Sequence, residues 1–168
     1  MPINGERRDC IVSLDCFVPT DASVLCLVDH DSEHRRRFDF PDDFIPSVRH
    51  SENIIARWEE GRRTGTCFPF AVRDATSGEL VGGCELKPAG DRVASLSYWT
   101  HPAQRGRGVA SEAVRLVCDL AFAQFGFRRV EVVTDADNVF SRRVAIRNGF
   151  DERGIRDGRV LYVRETGE

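Results

Sequence analysis

Apolar and polar positions change their period several times along the chain, and each change marks an element. Cys10-Ile-Val-Ser-Leu-Asp-Cys-Phe-Val18 mixes β-branched and apolar residues as a strand does, and Pro19-Thr-Asp-Ala supplies a turn with a helix N-cap. A short helix from Asp21 to about Asp29 follows from that. From about Ser47 to Gly61, Val48, Ile54, Ile55 and Trp58 recur near a helical period, with Gly61 and Gly65 closing the element. Between the two helices, Asp39 to Pro46 is irregular and rich in acids and phenylalanine. Three strands come next: Cys67 to Arg73, Leu80 to Lys87 and Val93 to Thr100. Short turn signals at Ser77-Gly78 and Ala89-Gly90-Asp91 join them most simply as an antiparallel meander.

A helix is predicted from Val109 to about Phe125, burying Ala113, Leu116, Val117, Leu120 and Ala121 and leaving Glu112, Arg115, Asp119 and Gln124 in water. Arg129 to Thr134 alternates as a strand. Val139 to Arg147 reads as a helix stopped by Asn148-Gly149, and two short strands flank a turn at Asp157-Gly158.

With 168 residues, 41% of them hydrophobic, the chain is long enough for one well-buried domain and short for two, so residues 1–168 are read as one α/β domain. No apolar run follows the first charges in Met1-Pro-Ile-Asn-Gly-Glu-Arg-Arg, and no segment approaches the roughly 20 apolar residues of a membrane span. A cytoplasmic protein with no membrane partner is the expectation. Cys10, Cys16, Cys26, Cys67, Cys84 and Cys118 form no C-x-x-C pair and sit mostly in apolar runs, so they read as small buried hydrophobes in a reducing compartment, without a metal. Asp29-His30-Asp31-Ser32-Glu33-His34 offers two histidines four apart, but it runs into three arginines and reads as a solvated charged turn with some access to substrate. A net charge of −3 gives no argument for DNA binding.

The most specific stretch is His101-Pro-Ala-Gln-Arg-Gly-Arg-Gly-Val-Ala110, set between a strand and a helix. A glycine-rich turn in that place aims backbone N–H groups and the positive end of the helix dipole at one spot, which suits a pyrophosphate. Gly106 and Gly108 let the backbone come close to an anion, and Ala110 keeps the first helical turn low. The dinucleotide fingerprint fails at Ser111, and no Gly-Lys-Ser/Thr follows as a P-loop requires. Arg105-Gly-Arg-Gly-Val-Ala110 does satisfy R/Q-x-x-G-x-G/A, and Asn138-Val-Phe-Ser141 with Gly149-Phe150 supplies an N-x-x-S…G-F segment downstream. On these two motifs, in this order, the chain resembles the GNAT superfamily of acyl-CoA-dependent N-acyltransferases, and within it the RimJ/RimL-like branch of ribosomal-protein alanine acetyltransferases. The resemblance is strongest from Glu79 to Phe150.

The resemblance implies a GNAT-like α/β (α+β) fold: a central mixed, mostly antiparallel sheet of six to seven strands, splayed in the middle, with about four flanking helices and CoA in the gap. It implies an acyltransferase that moves an acetyl group from acetyl-CoA, as co-substrate and without a metal, to a primary amine of a small molecule or a protein N-terminus. Direct attack is expected, because none of the cysteines sits in a nucleophile context. Two other readings stay open: another acyl donor, with tRNA a partner only if that donor is an aminoacyl-tRNA, or a non-catalytic acyl-CoA-binding module. A homodimer also stays open.

Carried onto this sequence, the backbone of Arg105, Gly106, Arg107, Gly108, Val109 and Ala110 would hold the pyrophosphate, with arginine side chains adding charge. Tyr98, Trp99 and Thr100 would pair with the pantetheine arm and polarise the thioester carbonyl, while one of the two rings fills core. Asn138 would bind the pantetheine arm, cap its helix, or do both. Many relatives carry a tyrosine acid where this chain has Ala145, which leaves Ser141 or a water to protonate the sulfur. Relatives often carry a glutamate where this chain has Ser95, so Glu85 is the candidate general base, beside its reading as a solvent-facing strand residue. His101 reads as a titratable group or as plain turn chemistry. The acids from Asp39 to Asp43, with Phe38, Phe40 and Phe44, suggest an acceptor with an amine and some apolar surface.

Overall fold

Alternating stretches of the chain line up in a single sheet in the computed structural model, which describes residues 10–167. Its strands are β1 (Val12–Asp15), β2 (Phe68–Asp74), β3 (Leu80–Gly90), β4 (Val93–Thr100), β5 (Arg129–Thr134), β6 (Asp151–Arg156) and β7 (Arg159–Glu165). The helices are α1 (Ala22–Asp29), α2 (Ser32–Arg37), α3 (Val48–Thr64), α4 (Val109–Ala123) and α5 (Val139–Arg147). The reading of residues 1–8 lies outside the described residues. Among the described residues no helix is long and apolar enough to cross a membrane.

The spatial order is β1-β2-β3-β4-β5-β7-β6, antiparallel everywhere except between β4 and β5. Those two strands register only over Val93–Ser95 against Arg129–Glu131. Beyond that point β4 stays with β3, up to Thr100 opposite Gly82, and β5 stays with β7, up to Thr134 opposite Val160. Each middle strand is fully paired on its outer side, so the sheet's right-handed twist carries the two halves apart and opens a gap between them. The meander and the paired final strands match the sequence reading.

On one face α4 and α5 cover a core that includes Val114, Val117, Cys118, Val130 and Tyr162; on the other, α1 and α3 pack over Leu25, Ile55, Ala71 and Leu80. The buried stripe of α4 is rotated from the expected one. Val114 and Cys118 are fully buried, whereas Leu116 and Leu120 lie half-buried at its flanks, because Ala113 and Ala121 bring the helix axis close to the sheet along their own line. Gly61 does not end α3. It sits inside the helix where a Cβ would collide with the Cys67 sulfur, and Gly65, at φ 76°, makes the left-handed C-cap. Asp21 does not cap α1; its carboxylate accepts the Val18 N–H at 2.8 Å in the turn before the helix and two Arg73 N–H bonds, at 3.0 and 2.8 Å, and so fastens the start of α1 to β2.

The stretch expected to be a charged turn is helical. Asp31 accepts the His34 backbone N–H at 2.9 Å and caps α2, which turns His34 inward to 9% exposure. From there α2 and the residue pair after it form a strap tied across the gap. Asp31 holds Arg105 at 2.6 Å, Arg37 holds Asp135 and Asp137 at 2.9 and 2.6 Å, and Asp39 holds Arg159 at 2.6 Å. The Arg105 hydrogen bond keeps the Asp31 carboxyl below its ordinary value, and Arg37 does the same to Asp135 and Asp137.

Carboxylates with depressed folded-state values stabilise above the unfolded value, about 3.9 for Asp, and lose that contribution as pH falls through the folded one. Below about pH 4 the strap therefore loosens before the core does. Backbone-amide protection measured from pH 6 to pH 3 drops first in 32–39 and stays high in β2 to β4; simultaneous loss in both regions contradicts the strap.

Candidate active site

Gly108 begins α4 in the left-handed region at φ 80° and, having no side chain, offers no cap bond. The first bond of the helix runs from Glu112 N–H to Gly108 C=O at 3.1 Å. Among the described residues, none of the backbone N–H groups from Gly106 to Ser111 finds an acceptor, so the turn presents an open row of donors at a helix N-terminus. Gly106 also has positive φ, at 77°, and a Cβ there would meet nothing within 4 Å. The surface above Gly106 is clear, and at Gly108 a Cβ would only come into ordinary contact with Ile11 Cδ1 at 3.7 Å. The loop arginines are less free than expected: Arg105 is bound by Asp31 and Arg107 by Gln104, so the backbone and not the side chains supplies the unpaired donors.

Next to the cradle lies the gap, a cavity of about 260 Å³. Leu96 to Thr100 of β4 line it on one side, Val132 to Thr134 of β5 on the other, and Asn138 and Ser141 of α5 stand at its inner end. The His101 N–H donates to Val81 C=O at 2.8 Å, so alternation turns the backbone groups of Tyr98 and Thr100 toward the gap and those of Trp99 toward β3. Tyr98 and Thr100 thus offer main-chain bonds to an extended ligand. Trp99 contributes its indole instead, which lies against Gly83 where a side chain would collide with the ring. Thr100 Oγ1 is buried without a partner at the wall of this cavity.

Across the gap, the Tyr98 hydroxyl meets the Ser141 Oγ at 2.9 Å and donates within reach of the Ser141 C=O at 3.1 Å. Burial pushes the Tyr98 phenol well above its ordinary range, and it stays protonated at any working pH. Neither Tyr98 nor Trp99 is simply core. Asn138 caps α5, with Oδ1 accepting the Ser141 N–H at 3.1 Å, while also lining the gap, so its two readings coexist. Ala145 is completely buried one turn further on and leaves no room for a tyrosine.

A second cavity of about 330 Å³ lies on the α1 and α3 side of β3 and β4. It shares His34, Phe38, Ser97 and Trp99 with the gap, so these residues form the partition. Glu85 faces this second cavity, with Lys87 at 3.0 Å, and not the gap. Asp39, expected near the acceptor, is held by Arg159, and the carboxylates at the second cavity are Asp29 and Glu85. His34 was missed as a site residue, although Asp31 at N-cap spacing before it carried the signal of a helix that would bury it. His101 caps the turn after β4, accepting the Ala103 N–H at 3.0 Å on Nδ1, which is turn chemistry. The described residues hold no group of three or more His, Cys, Asp or Glu side chains placed to bind a metal.

The open N–H row, the two positive-φ glycines, with clear space above Gly106, and the orphaned Thr100 hydroxyl together fit a ligand with a phosphate head and an extended polar arm. Known proteins agree with that architecture. A Bacillus subtilis (strain 168) protein described as a probable N-acetyltransferase, YjcK, is 29% identical over 117 residues, covering 68% of this chain. The match spans 64% of the length of that relative. Among solved structures, Mycobacterium smegmatis RimJ in complex with CoA-disulfide superposes with a TM-score of 0.77 at 23% identity, over 92% of this chain and 81% of that one. RimL, a ribosomal alpha-N-protein acetyltransferase in complex with coenzyme A, superposes with a TM-score of 0.80 at 17% identity, over 92% and 94%. The family model of the acetyltransferase (GNAT) domain matches residues 12–151, and the chain belongs to that family.

Proposed function

We propose that the protein is an N-acetyltransferase that passes an acetyl group from acetyl-CoA directly to a primary amine. The observation that carries this reading is the unpaired edge of β4, running from the open N–H cradle to the Tyr98–Ser141 pair. The CoA seen in the RimJ and RimL structures supports the choice of donor. RimL is described as a ribosomal L7/L12 alpha-N-protein acetyltransferase, which supports a protein N-terminus as acceptor, and a small primary amine presents the same nucleophile.

In this reading the N–H groups of Gly106 to Ser111 hold the pyrophosphate, with Arg105, Arg107, Val109 and Ala110 contributing position rather than side-chain contacts. The main chain of Tyr98 and Thr100 pairs with the pantetheine arm, and a gap-facing N–H donates to the carbonyl oxygen as negative charge grows on it. Asn138 keeps Nδ2 free for the same arm. Ser141 gives its proton to the departing sulfur, and the Tyr98 hydroxyl, 2.9 Å away, hydrogen-bonds the serine oxygen until solvent restores its proton. Glu85, paired with Lys87, supplies negative charge on the acceptor side. No covalent enzyme intermediate is needed: no cysteine lines the gap, and burial pushes the Cys84 thiol far above its ordinary range at the second cavity.

Acetyl-CoA raises the melting temperature, because a ligand bound only by the folded state at about 100 times its Kd stabilises by ~2.7 kcal/mol. Gly108→Glu removes that shift by placing bulk and negative charge in the cradle. A differential scanning measurement in which millimolar acetyl-CoA leaves the wild-type melting temperature unmoved refutes the reading.

Ser141→Ala lowers kcat and kcat/KM together by about 100-fold while the acetyl-CoA shift persists, as expected of a bond made mainly in the transition state. Tyr98→Phe gives a smaller loss of the same kind. Steady-state kinetics showing wild-type turnover in folded Ser141→Ala exclude the serine as acid.

A further inference from the structure

Resting on the acetyltransferase reading, the second cavity raises a question that reading leaves open: which amines it takes. Rings form a large part of its wall. Phe17 and Trp58 stack with centroids 4.6 Å apart, and Phe40 and Trp99 close on His34 at 5.6 and 5.9 Å. Leu25, Val28 and Ile54 fill the spaces between. A cavity of about 330 Å³ is small for a ligand site, where volumes run from about 300 to 1,000 Å³, so it suits a compact body and not a length of peptide. Against this lining stand two carboxylates, Asp29 and Glu85, and one ammonium, Lys87; Lys87 pairs with Glu85 at 3.0 Å, so among the described residues Asp29 is the carboxylate here without a lysine or arginine partner. Rings and carboxylates together favour a cation attached to an apolar group.

His34 stands where such a cation would meet the thioester. It lines both cavities, whereas Glu85 lines only the second and is already paired with Lys87. The ring is held on several sides: its backbone N–H is fixed by Asp31, Phe38 lies 4.7 Å from it, and its Nε2 faces Asp29 Oδ1 at 3.6 Å. Nε2 turned to Asp29 leaves Nδ1 for an incoming proton, and the Asp29 carboxylate then faces the positive charge that the ring gains. The same partition residue is tied through Asp31 to Arg105 of the phosphate turn, so its position is linked to the donor site.

We propose that the second cavity is the acceptor site, that it takes a primary amine on a compact apolar or aromatic body, and that His34 accepts the proton the amine loses on attack. The amine nitrogen forms the new C–N bond, its proton passes to His34, and the C–S electron pair leaves on sulfur, which is protonated from Ser141. Before attack the bound ammonium has lost one proton to water, so the nitrogen that attacks is neutral. Afterwards His34 gives its proton to water and water reprotonates Ser141, which leaves the amide, the free thiol and an unchanged enzyme.

Trp58 and Trp99, the two tryptophans of the chain, both line this cavity and report its occupancy. Titrating 2-phenylethylamine into CoA-saturated protein changes their fluorescence at a concentration at least ~10-fold lower than 2-aminoethanol or an alanine-led hexapeptide requires. With acetyl-CoA the wild type acetylates 2-phenylethylamine. His34→Gln loses about 100-fold in kcat with the fluorescence midpoint unchanged, and Asp29→Asn, a milder change, loses about 10-fold. Absence of a fluorescence response, equal or better binding of the alcohol or peptide, binding without acetylation, or wild-type turnover in folded His34→Gln or Asp29→Asn each overturns the proposal. A protein stabilised by acetyl-CoA that ignores 2-phenylethylamine loses this proposal alone; one that acetyl-CoA does not stabilise loses the acetyltransferase reading first.

Discussion

Everything at this site depends on backbone hydrogen bonds that β4 and β5 do not make with each other. The two strands share only the rungs from Val93 to Ser95, because β3 claims the outer edge of β4 to its end and β7 claims that of β5. Buried main-chain donors and acceptors without partners cost about 1–3 kcal/mol each, so a bare edge inside a sheet is an invitation to a ligand that can pair with it. Side chains then exploit the opening from both faces. Even-numbered residues of β4 point to α4 and α5, which lets the Tyr98 hydroxyl span the gap to Ser141, while Ser97 and Trp99 point to the second cavity.

The strap completes the enclosure from above. Its ion pairs are mostly half-exposed, and surface pairs of this kind contribute about 0–1 kcal/mol apiece, so they fix where α2 lies more than they hold the fold together. That placement matters because α2 carries both a wall of the gap and His34. Fold stability rests elsewhere, in the fully buried valines and alanines under α4 and in the Asp21–Arg73 pair, where removal of Arg73 would leave the buried Asp21 carboxylate without its counter-charge at a cost of about 3–5 kcal/mol.

Much of this was legible in the sequence. Helix α5 and strands β4 and β5 fall where periodicity put them, and the turn between β4 and α4 was legible from its glycines, its flanking strand and helix and its motif; Gly106 and Gly108 both have positive φ in the structure. What stayed hidden depends on distance in space. The Tyr98–Ser141 bond joins residues 43 apart in the chain, the Arg105–Asp31 pair residues 74 apart, and neither has a local signature. His34 illustrates the reason: the arginines beside it suggested a solvated turn, yet the Asp31 cap makes a helix whose other side faces aromatic rings. Gly61 misled in the same way, being required by the Cys67 sulfur and not by a helix end.

The central claim is that a CoA-type ligand completes the unpaired edge between the phosphate turn and β4. It is tested most directly by following backbone amide resonances while CoA is added to isotope-labelled protein. The account predicts that the largest shifts fall on the N–H groups of Gly106 to Ser111 and on Tyr98 and Thr100, with Trp99 N–H, bonded to β3, moving much less. Saturable shifts confined to the outer strands β1 and β6, with the turn and β4 unmoved, would contradict it.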